Sequence, residues 1–428
     1  MNPFQQGLDL AMDIRIEQID AGGPRLRIAV VTETYPPEIN GVALSLSRLV
    51  KALAQRQHSI QLVRVRQPVD PKPQRAASPA GTSAGDVLMP GVPIPRYPGL
   101  RMGLPCKQDL LRLWSHQRPD VVHIATEGPL GWSALRAARQ LKLPVSSEFR
   151  TNFHAYSRHY GLGMLNRSIM LVLRKFHNAA DLTMVPTSML HDELAANGFR
   201  NLRVVGRGVD VSDFSPQWRS TELRRRWGLD DRSLAVICFG RLAAEKNLAL
   251  AIRAFGEIRR NQSHAKLIFI GDGPLREELH QQCPQAIFTG MLRGQELSMA
   301  LASGDLFLFP SETETFGNVV IEAMASGLPV LAFHMAAAAE LIRDEENGRT
   351  VEPGDEAAYV QAAVELAAGG PLLSSMGLRA AAAASRMDWD SIAQQVEAGL
   401  LSVMDRKKGR AAGSAPSAIN APSWVVRS

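Results

Sequence analysis

Between residues 26 and 66 the chain reads LRIAVVT, then the loop ETYPPEINGVA, then a helical pattern with Leu46, Leu49, Val50 and Leu53 on one face, then IQLVRVR. Short runs rich in β-branched residues read as buried strands, and apolar residues three and four apart read as one helix face. Strand, glycine-bearing loop, helix and strand in that order form a βαβ unit, which commits the chain to a parallel sheet. The pattern continues with strands at 120–125, 144–149 and 181–185 and helices near 130–141 and 164–177. A second series opens at LAVICFG (234–240). It runs through helix 247–260, strand 266–271, helix 274–282, strand 286–289, helix 294–302, strand 305–309, helix 317–326, strand 329–332 and a helix near 355–367. Two successive series in 428 residues exceed one ordinary core and predict an α/β fold of two Rossmann-like domains facing each other across a cleft. Ligands of such sheets bind beyond the carboxyl ends of the strands, so the cleft is the expected active site.

The remaining segments set the expected limits of these domains. Residues 1–25 precede the first strand as an extension, 26–205 form the first domain and 206–387 the second. A helix at about 388–405 packs back on the first domain, and 406–428 read as a disordered tail. Pro, Gly and Ser dominate 68–99, which reads as an irregular surface excursion, and RVVGRGVDVSDFSP (203–216) reads as a turn-rich link, with hinges expected there and near 385–395. Acids interrupt the N-terminus where a secretory signal needs an apolar core, and no run of eighteen apolar residues predicts a spanning helix. Cys106, Cys238 and Cys283 lack metal or redox spacing and read as small core residues in a reducing cytoplasm. Residues 1–205 carry a net charge of +10 and the remainder −4. A basic first half suits an anionic partner or is simply a solvated surface. No nucleic-acid-binding pattern accompanies it, so nucleic acid is not expected.

The most informative stretch is FPSETETFGNVVIEAMASGLPVLA (309–332). Gly317 opens a helix after a strand, and the N–H groups of Gly317, Asn318 and Val319 would be unpaired there, a terminus that attracts phosphate oxygens. Glu314 stands just before it, placed to accept hydrogen bonds from sugar hydroxyls, and Glu322 lies about a turn and a half along the helix, placed for a ribose diol. Taken alone, a capped helix with surface acids explains the same residues. In FGRLAAEKN (239–247), Arg241 and Lys246 follow a strand and can neutralise a diphosphate in place of a metal. Gly41, in YPPEINGVA, precedes another helix. GDGPLREEL (271–279) is a weak glycine turn that helix capping explains.

The Glu314–Glu322 spacing, the small residues Ala323, Ala325, Ser326 and Gly327, and Pro329 together resemble the E-x7-E signature of glycosyltransferase family 4, retaining enzymes of GT-B fold. G-R-L-x-x-E-K-N matches closely as well, and the resemblance spans roughly residues 26–400. It implies that Arg241 and Lys246 bind the donor diphosphate and that the Gly41 loop lies close to donor phosphate and sugar. It also implies that the backbone at Met291 and Leu292, in FTGMLRGQEL, contacts the base. His154, in EFRTNFHAYSRHY, resembles the family's T-x-F-H segment and would orient the donor sugar, with His159 and Tyr160 towards the acceptor. TETYPPEINGVALSLSRLVKAL, YPGLRMGLP and GRGVD resemble bacterial α-mannosyltransferases using GDP-mannose and enzymes that glycosylate diacylglycerol-type lipids.

The resemblance therefore implies hexosyl transfer from GDP-mannose or a UDP-sugar to a lipid or glycan acceptor, without cofactor or metal, and peripheral contact with an anionic membrane at its cytoplasmic face. A nucleotide-sugar 2-epimerase of the same fold and a non-catalytic nucleotide-sugar-binding protein are the competing readings. Helix MLNRSIMLVLRKFHNAA (164–180) is basic, yet apolar almost all round, which predicts burial rather than a membrane face. One departure from the family is HMAAAAELIRDEENG (334–348), where Ala336–Ala339 replace a usual glycine pair and bear on donor choice.

Overall fold

The computed structural model describes residues 24–38, 40–70, 86–94, 100–150, 163–230 and 233–411. In the first half, β1 (Arg27–Thr32), α1 (Gly41–Gln55) and β2 (Ser59–Val65) are followed by β3 (Val87–Met89), β4 (Gly91–Pro93) and β5 (Arg101–Gly103). Then come α2 (Lys107–His116), β6 (Val121–Ile124), α3 (Pro129–Gln140), β7 (Val145–Glu148), α4 (Gly163–His177), β8 (Leu182–Val185), α5 (Ser188–Ala196) and β9 (Leu202–Val204). The second half begins with α6 (Thr221–Arg226), β10 (Ala235–Phe239), α7 (Leu248–Asn261), β11 (Lys266–Ile270), α8 (Arg276–Gln282), β12 (Ile287–Gly290) and α9 (Gly294–Ala302). It continues through β13 (Leu306–Phe309), α10 (Asn318–Ala325), β14 (Val330–Phe333), α11 (Ala336–Leu341) and β15 (Gly348–Val351), and ends in α12 (Glu356–Ala368), α13 (Pro371–Ala384) and α14 (Trp389–Ala411).

The strands form two parallel sheets, ordered β3-β2-β1-β6-β7-β8-β9 and β12-β11-β10-β13-β14-β15. Strand order reverses beside β1 in the first and beside β10 in the second, so each sheet has its ligand-binding crevice where those strands end. The GT-B arrangement expected from the sequence is therefore present. Each sheet is buried on both faces. Val63, Val122 and Phe176 belong to one cluster of the first sheet, and Ile28, Leu46 and Leu53 to the opposite one. Phe255, Phe269 and Tyr359 lie on one side of the second sheet, with Phe307, Ile321 and Met324 on the other.

The last helix crosses back. Ile392, Ala393, Val396 and Leu400 of α14 join Leu46 and Leu53 of α1 in one cluster, and Glu397 accepts from Arg56 at 2.7 Å. α14 continues to Ala411, past residue 406 where the sequence placed the start of a tail; residues 412–428 and 1–23 lie outside the described residues. The two crossing segments lie side by side: Val209 N–H donates to Met387 O at 2.9 Å. Two other expectations fail locally. The stretch 68–99, read as irregular, contributes edge strand β3 and the first strand of the antiparallel pair β4–β5. Helix α4 is not buried all round, since Leu171 and Val172 are 55% and 52% exposed while Leu173 and Phe176 are buried. The sequence reading also omitted β15 and α13. All three cysteines are free and buried. Gly271 has a packing role: a Cβ there would stand 2.0 Å from Gly240 O, which accounts for the GDG turn without a ligand.

Candidate active site

The end of β1 and the loops that follow β10 and β13 face each other across a cavity of about 540 Å³. From the first domain come Glu33, the Gly41 turn, Ser45, Arg101 and Arg150, and from the link comes Arg207; from the second come Lys246, Glu314 and residues 315–319. The first wall is built around α1. Asn40 caps it, accepting from Ala43 N–H at 2.8 Å, and thereby fixes the direction in which the first turn points. The second wall is built around α10. Its N-cap Gly317 has φ +89°, a left-handed conformation natural to glycine, and no side chain caps the helix. A Cβ on Gly41 would lie 3.7 Å from Asn318 Nδ2. Two helix N-termini therefore converge on one space, and their partial positive charges favour an anion there.

Lys246 reaches the same space from the loop after β10. Its ammonium pairs with Glu314 and stands 5.6 Å from the Phe309 ring centre. Ser311 donates to the same Glu314 oxygen at 2.9 Å, so the carboxylate is oriented from two sides. Glu322, on α10, lies outside the residues that line the cavity and is partly exposed. Burial of its carboxyl, opposed by the charge of Arg48, pushes its pKa up to about 7. Arg48 itself bridges Asp210 and Asp213 in the crossing segment and so ties α1 to the link between the domains.

Of the sequence-predicted residues, the structure gathers Gly41, Lys246, Glu314, Gly317, Asn318 and Val319 around one cavity. Arg241 lines a small adjoining recess with Lys246 and Phe309, its side chain 66% exposed and 3.7 Å from Glu245. Met291 is 57% exposed and Leu292 packs on the second core; neither lines the cavity. His154, His159 and Tyr160 lie outside the described residues. Ala336, where the sequence departs from glycine, has φ +49°, an uncomfortable conformation for a residue with a Cβ.

Three groups escaped the sequence reading. Glu33 accepts N–H bonds from Gly103 and from Leu130, the latter at 2.8 Å, and so fastens β5 and the start of α3 to the end of β1. Burial raises its pKa, with backbone donors opposing. Its signal was the glycines around it: a Cβ on Gly128 would meet its carboxylate at 2.2 Å. Arg150, in EFRTNFHAYSRHY, and Arg207, in GRGVD, carry no sequence signal of their own. They share Glu148, whose Oε2 is 2.5 Å from Arg150 Nη2 and 2.9 Å from Arg207 Nη1.

Comparison with known proteins places this architecture. The description Glycosyltransferase Family 4 matches residues 39–213, and Glycosyl transferases group 1 matches 233–368. A GDP-mannose-dependent alpha-mannosyltransferase of Corynebacterium glutamicum is 31% identical over 409 residues, 94% of this chain and 96% of that protein. The chain belongs to glycosyltransferase family 4. A protein of the same description from Mycolicibacterium smegmatis is 36% identical over 311 residues, 72% of this chain and 79% of its own. The chain is also similar to the alpha-monoglucosyldiacylglycerol synthase of Streptococcus pneumoniae, 27% identical over 76% of this chain and 74% of that protein. Among solved structures, Anabaena HepE in complex with UDP and glucose superposes with a TM-score of 0.67 at 20% identity, covering 88% of this chain and all of that one. As a family 4 member of GT-B fold, the protein is a glycosyltransferase, and the cavity lies at its interdomain crevice.

Proposed function

We propose that the protein transfers a hexosyl group with retention of anomeric configuration, an α-mannosyl group from GDP-mannose, to a lipid or glycolipid acceptor. The observation that carries this reading is the convergence of two helix N-termini and Lys246 on one cavity beside Glu314. The names of the mannosyltransferase and diacylglycerol glycosyltransferase relatives support donor and acceptor class.

In this reading the diphosphate lies between Gly41 and residues 317–319, with Lys246 and Arg241 offsetting its charge without a metal. The bond from the anomeric carbon to the diphosphate oxygen breaks. The acceptor hydroxyl forms its new bond on the same face, and its proton passes to the departing phosphate. Donors fixed where negative charge grows lower that barrier without reorganising. Glu314 accepts from hydroxyls of the donor sugar, Glu322 from those of the ribose, the backbone at Met291 and Leu292 faces the base, and His154 orients the sugar. No helix among the described residues is long and apolar enough to cross a membrane. The protein meets its lipid from the cytoplasmic side, as a peripheral visitor to an anionic surface.

The test is incubation with GDP-mannose, UDP-glucose and UDP-glucuronate, each with and without diacylglycerol and glycosyl-diacylglycerol. Acceptor-dependent release of GDP is expected. Release of UDP instead would replace the donor, and tight nucleotide binding with no release from any donor would overturn the transferase reading in favour of a binding protein.

A further inference from the structure

Opposite the donor wall, the first domain holds an arrangement that the proposed chemistry leaves unused. Glu148 closes β7 with a side chain only 2% exposed, and it faces two guanidiniums: Arg150, 4% exposed, and Arg207, 10% exposed. The other Glu148 oxygen is taken by His123 Nε2 at 2.8 Å, and His123 Nδ1 meets Ser146 Oγ at 2.8 Å, so the carboxylate has no freedom to turn. Burial opposes ionisation of Glu148, yet Arg150, Arg207 and then His123 hold its pKa well below the usual range. Two fixed cations thus share one fixed anion, and both cations line the substrate cavity.

A purely structural ion cluster would balance its charges, because an uncompensated buried charge costs several kcal/mol. Here Arg150 and Arg207 repel each other. That repulsion adds to burial in pulling the Arg150 pKa down to about 10, which still leaves it charged at neutral pH. Glu127 attracts Arg150 from further off, where it stands 3.5 Å from His177. Arg150 donates from Nη1 to Ser45 Oγ at 2.8 Å, one turn beyond the cavity-facing start of α1, but its buried Nε has no hydrogen-bond partner. A buried guanidinium N–H without a partner, on a side chain that lines the cavity, is a donor awaiting an oxygen. The donor diphosphate has its own cations in Lys246 and Arg241, so these two arginines are surplus to it.

We infer that Arg150 and Arg207 form an oxyanion subsite that takes a carboxylate or phosphate carried by one of the two substrates in addition to the donor diphosphate. The inference rests on the glycosyl-transfer reading and narrows its substrate class. Arginine forks suit such groups, since two parallel N–H bonds fix orientation as well as charge. Two sources supply the same chemistry: an acidic donor sugar or an acidic acceptor headgroup.

The experiment compares the wild-type protein with Arg150→Lys, Arg150→Gln and Arg207→Gln. In the donor arm, UDP-glucuronate is set against UDP-glucose and GDP-mannose. In the acceptor arm, glucuronosyl-dioctanoylglycerol and dioctanoyl-phosphatidylinositol are set against glucosyl-dioctanoylglycerol and dioctanoylglycerol. Calorimetric binding of GDP and UDP reports on an intact fold and donor wall. In one arm the wild type should prefer the anionic substrate in kcat/KM by about tenfold or more. In Arg150→Gln and Arg207→Gln that ratio should fall to about two or less, while nucleotide affinity holds. Arg150→Lys should fall between, keeping charge and losing the fork. No anionic preference in either arm of an active wild type would overturn the inference while leaving the transferase reading intact. Tenfold weaker GDP and UDP binding in the variants would also overturn it, by assigning the arginines to the diphosphate. An inactive wild type that still binds nucleotide would overturn the transferase reading and the inference with it.

Discussion

Glu322 offers a quantitative handle on helix α10. Its carboxyl is raised from 4.5 to about 7, chiefly by burial and against the attraction of Arg48. A raised acid pKa means that the folded protein holds the proton more tightly than the unfolded chain. The stabilisation is complete below about pH 4.5 and is lost as pH rises from there through 7. Integrating over that window, the fold loses about 2.5 kcal/mol from this one group between pH 5 and pH 8. Glu322→Gln removes the titration, so its stability should fall by about 2.5 kcal/mol less than wild type over the same range. Guanidinium unfolding followed by tryptophan fluorescence at pH 5, 6, 7 and 8 gives the comparison, read as the difference in pH slope between the two proteins. A nucleotide adds a second reading: if the carboxylate accepts from the ribose hydroxyls, GDP affinity should rise towards pH 7 in wild type and stay flat in Glu322→Gln. Parallel stability profiles for the two proteins would refute the argument from burial.

Three further outcomes can be checked. Lys246→Ala should lower kcat about a hundredfold, as loss of one fixed donor to a growing charge does, with donor KM changing less; an unchanged kcat removes Lys246 from the chemistry. Glu148→Gln leaves Arg150 and Arg207 buried without their shared anion and should cost about 3–5 kcal/mol in denaturant unfolding, where a loss under 1 kcal/mol would show that the cluster is not anchored as described. Ala336→Gly places glycine at φ +49° and should raise stability by about 1 kcal/mol, while a loss would mean that the alanine methyl packs better than its backbone suffers.

The fold was legible wherever one physical pattern dominated. LRIAVVT and LAVICFG read as strands because parallel strands buried on both faces leave continuous apolar runs. The helix start at the cavity was legible because Gly317 and the residues after it are local in sequence. The pair β4–β5 was not, since strands of three residues among prolines and glycines carry no period. Glu33, Arg150 and Arg207 resisted for another reason. Arg207 meets Glu148 across 59 residues, and Glu33 meets Leu130 across 97, so topology alone creates their roles. Within EFRTNFH the T-x-F-H resemblance marks His154, whereas the sharing of Glu148 by Arg150 and Arg207 exists only in space.

That contrast between the walls bears on how a donor is selected. On the second domain, Lys246 and Glu314 satisfy each other, so the wall is nearly neutral before substrate arrives. In the proposed binding mode a nucleotide sugar separates that pair and replaces both halves at once, phosphate oxygens for the ammonium and sugar hydroxyls for the carboxylate. A free nucleoside diphosphate replaces only the first half and leaves Glu314 short of a donor; a free sugar replaces only the second and leaves Lys246 short of an anion. Each incomplete ligand therefore bears the cost of an unpaired, half-buried charge. Under the proposed reading the intact donor alone avoids that cost, which would tie recognition of the sugar to recognition of the phosphate. If so, Glu314→Gln should tighten GDP relative to the nucleotide sugar, because it releases Lys246 from its internal partner while weakening the hold on the sugar. Equal changes in the two affinities would mean that the pair is only a neighbour of the site.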